Sequence, residues 1–188
     1  MDQIKSWGIA IYKKDRKEQQ VLKDLLQLLR SQSPKKSVSF AYIEAEGSLL
    51  PNLTLWENLQ IATGGTCWNE FSRHVGEDWK PLIQLIKNPD QLTLDSLPWE
   101  KFTVSLLKGL LAINQSLLID MNEELIPPLM IQNFKKIFLK ATDHRQIILA
   151  SAQSAIWLDC AHSLVSRKSY EFITEKLDSD GIKRHWVA

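Results

Sequence analysis

Gly47-Ser48-Leu49-Leu50-Pro51-Asn52-Leu53-Thr54-Leu55-Trp56-Glu57-Asn58-Leu59 stands between a short run of strand-forming residues and a helical pattern. Gly47 and Pro51 mark residues 44–52 as a loop. Thr54 and Glu57 lie three positions apart, the spacing of a capping box in which each side chain satisfies the other residue's open backbone N–H. Leu53 precedes this cap, but the position it would meet in a hydrophobic staple is the polar Asn58, so Leu53 packs elsewhere. Upstream, residues 6–12 read as a strand and 18–30 as an amphipathic helix with Val21, Leu22, Leu25, Leu26 and Leu29 on one side. Residues 36–43 read as a second strand. Strand, helix, strand in that order favours a parallel sheet with a crossover helix.

Downstream, Gly64-Gly65, Gly76 and Asn88-Pro89 break residues 64–95 into several short helices. Ser96 to Pro98 can cap a longer helix over 99–112, whose Trp99, Phe102, Leu106, Leu107, Leu110 and Leu111 give it a wide apolar face. A short strand at 116–119 ends at Asp120. Pro127-Pro128 starts a helix over 129–140. Residues 145–151 read as a strand, 155–158 as one more, and 170–177 as a C-terminal helix. The fold class expected is α/β: a mostly parallel sheet with flanking helices and a helical insertion. Residues 1–188 form one domain, with a helical subdomain at about 54–112.

Composition narrows the function. The 188 residues are 44% hydrophobic and 24% charged, enough apolar content to fill a core. Twenty-three basic against 22 acidic side chains give a formal charge of +1, which argues against a non-specific nucleic-acid binder. Cys67 and Cys160 are too few for a disulfide framework, and with His74, His144, His162 and His185 they have no metal-ligand spacing. Met1 to Ser6 lacks the order of a signal peptide, and no apolar stretch is long enough to span a bilayer. A cytoplasmic setting is expected, with peripheral attachment through another protein left open.

The segment 47–59 resembles the stretch just after the Q-loop of ABC-transporter ATP-binding domains, where an extended "LLPNLTVxENL" pattern is common. The resemblance extends over most of residues 6–175. Ser116-Leu117-Leu118-Ile119-Asp120 looks like the Walker B strand, Ser96 to Glu100 falls on the LSGGQ signature, and Ile148 to Gln153 falls on the strand entering the H-loop. Tyr12 to Gln20 lies at the place of the phosphate-binding loop. The resemblance implies a P-loop NTPase-like fold of ABC type.

It also implies which residues an ATPase would need, and this chain departs from them. A phosphate cradle needs glycines whose backbone N–H groups close on phosphate oxygens, with a Lys reaching the outer phosphates. Residues 12–20 hold no glycine; Glu18 stands at the Lys position, with Gln19 beside it. Ala45 replaces the Q-loop Gln, Pro98 and Trp99 replace the signature glycines, Met121 replaces the catalytic Glu, and Ala152 replaces the H-loop His. Asp120 alone is retained. It reads either as the acid that supports Mg²⁺ in the family or as the cap of the following turn. Lys13, Lys14, Arg16 and Lys17 read as a solvated turn or partner contact, and Glu123 and Glu124 as surface charges.

The expectation is a degenerate, non-catalytic relative with no cofactor, binding a protein partner at the cytoplasmic side of a membrane transport or envelope complex. Carried over from the family's partner groove, Leu49, Leu50, Asn52, Leu53 and Trp56 become candidates for the partner face, with Trp68 and Trp79 as anchors if exposed. Core packing is the alternative for each tryptophan. A homodimer and a heterodimer with an active ATPase both stay open. So do two other functions: a weak or complementing ATPase contributing Asp120 to a mixed site, and a soluble scaffold unrelated to transport.

Overall fold

The computed structural model describes residues 8–14, 19–32, 39–44, 47–65, 67–112, 115–143, 145–168 and 171–177. Six strands form one sheet: β1 (Ile9–Lys13), β2 (Ser39–Ile43), β3 (Gln115–Asp120), β4 (Ile147–Ser151), β5 (Ser163–Lys168) and β6 (Glu171–Lys176). Their order is β2-β3-β4-β1-β5-β6. The first five are parallel; only β6 runs antiparallel, against β5.

A parallel sheet needs cover on both faces, and the strand sequences meet that need by being apolar at successive positions. Ile9, Ile11, Leu117, Ile119, Ile147 and Leu149 point to one side. Ala10, Tyr12, Leu118, Ile148 and Ala150 point to the other. The second side is covered by α1 (Gln19–Gln32) through Leu22, Leu25 and Leu26. The first carries α2 (Leu55–Thr63), α4 (Lys80–Ile83), α5 (Pro98–Leu111) and α6 (Ile131–Ala141), which contribute Leu59, Leu82, Phe102, Leu106 and Phe134. Between β2 and β3 the described chain is otherwise α3 (Trp68–His74), two 3-10 turns at Glu77–Trp79 and Thr93–Asp95, and an isolated bridge between Thr54 and Leu92. Gly109 lets α5 come close to the sheet: a Cβ there would lie 2.6 Å from Ile43 Cδ1.

The loop before α2 is held by a buried asparagine. Asn58 accepts from Leu50 N at 2.8 Å and donates to Leu50 O at 2.9 Å, Thr54 O at 3.1 Å and Thr93 Oγ1 at 2.9 Å. Thr93 passes the connection on by donating to Leu53 O. The polar residue that removes the hydrophobic staple thus ties two turns together. The capping box forms as expected, with Thr54 N donating to Glu57 and Glu57 N to Thr54 Oγ1. Gly47, at φ +79, is required for a second reason: a Cβ would lie 2.8 Å from Lys101 O and 2.9 Å from Ser105 Oγ.

Three local expectations need correction. Residues 171–176 are a strand, not a helix. The spacing of Tyr170, Ile173 and Leu177 suits a helix, but the free edge of β5 is filled by pairing from Ser163↔Lys176 to Lys168↔Glu171. Residues 155–158 are no strand; they lie in a 3-10 segment, Ser154–Cys160, that buries Trp157. At the start of α5, Ser96 does not cap. Its hydroxyl donates to Leu92 O, and the buried Glu100 accepts from the backbone N–H of Leu97 and of Lys87.

Asn58→Ala removes the partner of the Leu50 N–H and C=O and, further in, of the buried Thr93 hydroxyl. The expected loss is about 3 kcal/mol, read as a lower urea midpoint with unchanged slope.

Candidate functional site

In open α/β sheets the crevice outside the carboxyl ends of the strands is where ligands bind. Here that rim is built from the ends of β1, β2, β3 and β4. Asp120 closes β3 and is 4% exposed. Its Oδ1 takes an ion pair from Lys14 Nζ, and its Oδ2 lies 3.4 Å from the donating hydroxyl of Tyr42. Lys14 is brought there by the backbone, because β1 does not open into a loop at Lys13. The Lys14 N–H donates to Ser151 O at 3.1 Å and extends the pairing of β1 with β4. Burial, then the charges of Asp120 and Glu44, raise the Tyr42 phenol well above its ordinary range, so it stays a donor.

A second carboxylate follows three residues on, in the turn after β3. Glu123 is buried, and its Oε1 accepts from Ser151 Oγ and, at 2.9 Å, from Trp157 Nε1. Both donors follow from β4 and the 3-10 segment after it. Met121 runs the other way, into the core, while its N–H donates to Ala150 O at 2.8 Å. Asp120, Glu123, Lys14, Tyr42, Ser151 and Trp157 therefore have partners supplied by the chain.

Several sequence readings change here. Asp120 does not cap the following turn; Asn122 does, accepting from Glu124 N at 3.2 Å. Glu123 is an internal hydrogen-bond acceptor, not a surface charge, because the indole and hydroxyl opposite it replace water. Lys14 is not part of a solvated turn, since its ammonium is turned inward onto Asp120. Glu18 and Ala45 lie outside the described residues, and Gln19 opens α1. Pro98 is exposed at the first position of α5, Trp99 is half-buried behind it, and Ala152 is half-buried just after β4.

The candidate partner residues separate into two groups. Leu50 and Asn52 are exposed, and Leu49 and Leu53 half-buried. Trp56 is buried, so it is an internal residue and not part of a surface. Trp68 stands edge-on to it with ring centroids 5.9 Å apart, and Phe71 lies at 5.5 Å. Trp68 and Trp79 are half-buried against the core, because the short helices after α2 have little else with which to cover it. Lys14, Tyr42, Ser151 and Trp157 were not singled out by sequence as site residues. The one available signal was Lys14's place in the basic run after a strand.

No cluster of three or more His, Cys, Asp or Glu able to hold a metal occurs among the described residues. His162 accepts from Ile9 N at 3.1 Å, a structural role. Cys160 is buried, and burial foremost, helped by Asp159, pushes its thiol up to about 11. No helix among the described residues is long and apolar enough to cross a membrane.

No protein-family model matches the chain, and no curated protein matches it. Among solved structures, the fold is similar to one described as the structure of the ATP-binding subunit of an ABC transporter. The TM-score is 0.70 at 17% sequence identity, over 92% of this chain and 80% of that one. The α/β architecture expected from the segment 47–59 is therefore an ABC ATPase-like fold.

Two outcomes are expected. Lys14→Met leaves a short, buried carboxylate without its cation and lowers stability by about 3 kcal/mol, whereas Asp120→Asn lowers it by about 1 kcal/mol because the long Lys14 stem can carry its charge to water; chemical denaturation distinguishes them. In thiol labelling at pH 8, exposed Cys67 reacts at once and Cys160 only on unfolding. The raised Cys160 value makes its contribution to stability full below pH 9.0 and lost as pH rises through about 11.

Proposed function

We propose that this chain is a non-catalytic, ABC ATPase-like subunit that binds a protein partner at the cytoplasmic side of a membrane transport or envelope complex. The observation that carries this reading is the Lys14–Asp120 pair. A nucleotide with its metal would need an unpaired carboxylate at the end of β3 and a backbone cradle after β1. Asp120 is instead neutralised by an ammonium from its own chain, and β1 stays paired through Lys14. These residues do not fit Mg-nucleotide. The absence of glycine from residues 12–20, and Met121 buried in the core, support the same reading.

The partner-binding part rests on the loop before α2. Leu50 and Asn52 project from a turn that Asn58 holds rigid, and Leu49 and Leu53 stand half-open beside them. A surface fixed before binding loses little conformational entropy when a partner arrives. Attachment to the membrane is then indirect, through that partner.

Calorimetry with Mg-ATP is expected to show no saturable binding up to about 1 mM, a free energy near −4 kcal/mol. Tight binding that disappears in Asp120→Ala would overturn the non-catalytic reading and favour the complementing ATPase. Pull-down from membranes in mild detergent is expected to recover a membrane protein, with recovery lost in Leu50→Asp. Recovery of none would leave a scaffold unrelated to transport.

A further inference from the structure

The last carbonyls of a helix have no partner inside it, and in α5 one of them is met by a buried arginine. Arg145, just before β4, is 8% exposed and donates from Nη1 to Gly109 O at 2.9 Å. Gly109 is also where α5 lies against Ile43, so this bond ties the helix turn that packs on the sheet to the start of β4. The place is at the other end of the strands from Asp120. Leu117 N, near the start of β3, donates to Gln146 O beside Arg145, whereas Asp120 closes β3.

Capping Gly109 O takes one donor, which a lysine would also supply. A guanidinium brings more: along the side away from Nη1, the parallel N–H groups of Nε and Nη2 form the edge that grips two oxygens of a carboxylate or phosphate at once. The Arg145 Nε is enclosed by protein and has no hydrogen-bond partner. Burial lowers the pKa of this guanidinium from its ordinary value, and no carboxylate among the described residues offsets it. Lys108, half-buried on the same turn of α5, is lowered by burial in the same way. Residues 108–112 and 140–147 contain Lys108, Lys140 and Arg145 against one carboxylate, Asp143, which is exposed and lies 3.5 Å from Lys140 Nζ. A buried cation is costly until a counter-charge reaches it.

We infer that Arg145 and Lys108 form a binding site for a small dissolved oxyanion of the phosphate type, seated on the Nε edge of Arg145 with the Lys108 ammonium turned to it. Two cations match the charge of about −1.5 to −2 that a phosphate group carries near pH 7. Because so little of Arg145 is exposed, the ligand is one of few atoms and not a group fixed to a flat protein or membrane surface. Its effect is to fasten the last turn of α5 to β4. The site lies at the amino ends of the strands, so it is no remnant of a nucleotide site at their carboxyl ends. It is also independent of the partner-binding reading above, and neither fails with the other.

The probe is inorganic phosphate, with sodium chloride at matched ionic strength as control. On the full chain, about 20 mM phosphate is expected to raise the melting temperature by about 5 °C over chloride, saturating with a Kd of about 1 mM. Arg145→Lys keeps a charge and a donor for Gly109 O but loses the two-oxygen edge, and is expected to abolish the shift. Lys108→Gln is expected to weaken binding about tenfold, read by titrating the broadening of the phosphorus NMR signal of phosphate. Equal melting temperatures in phosphate and chloride overturn the proposal, as does an undiminished shift in Arg145→Lys. Where Arg145→Lys fails to fold, Lys108→Gln decides, and unchanged phosphate affinity in that variant overturns the site. Acetate that matches phosphate at equal concentration overturns the phosphate assignment.

Discussion

Five parallel strands with both faces buried leave very few places for a charge. Along β1, β3 and β4 nearly every side chain is enclosed by α1 on one side or by the helices after β2 on the other, so polar groups collect where the strands end. A carboxylate at such an end is surrounded on most sides by protein of low polarisability, where leaving it unpaired is expensive. The arrangement of the rim follows from that constraint. Asp120 needs a cation and Glu123 needs donors, and Lys14, Tyr42, Ser151 and Trp157 supply them.

A cation that belongs to the chain differs from one that must bind from solution. Lys14 belongs to the chain and its N–H donates directly to Ser151 O, so its local concentration beside Asp120 is that of an intramolecular group and does not fall with dilution. The same tether excludes competitors. A dissolved ion would have to displace an ammonium that its own backbone holds beside the carboxylate. The Asn58 network works by comparable logic, one side chain satisfying backbone groups of two turns.

How far these features were legible in the sequence depends on how far apart their parts lie. The capping box of Thr54 and Glu57 spans three residues and was read directly, as were the β2, β3 and β4 strands, whose apolar runs are continuous. Asn58 was recognised as a polar residue in an apolar place, but its partner Thr93 is 35 positions on and carries no local mark. Lys14 and Asp120 are 106 apart, and nothing in either neighbourhood announces the other. Glu123 looked like half of an acidic pair because its donors come from a different strand. β6 was misread because its spacing suits two periods, and only the vacant edge of β5 decides between them.

The position of β1 carries a consequence for how the chain is made. Ile9 pairs with Ile147, and Ala10 with Ser163, so the middle of the sheet cannot close until strands far downstream have left the ribosome. Until then Ile9, Ala10, Ile11 and Tyr12, apolar on both sides, have no neighbour on either edge. The strand translated early is thus among the last to be enclosed, and such a long-range closure is slow and exposed to aggregation. The window of vulnerability for this protein lies in its synthesis more than in its folded life.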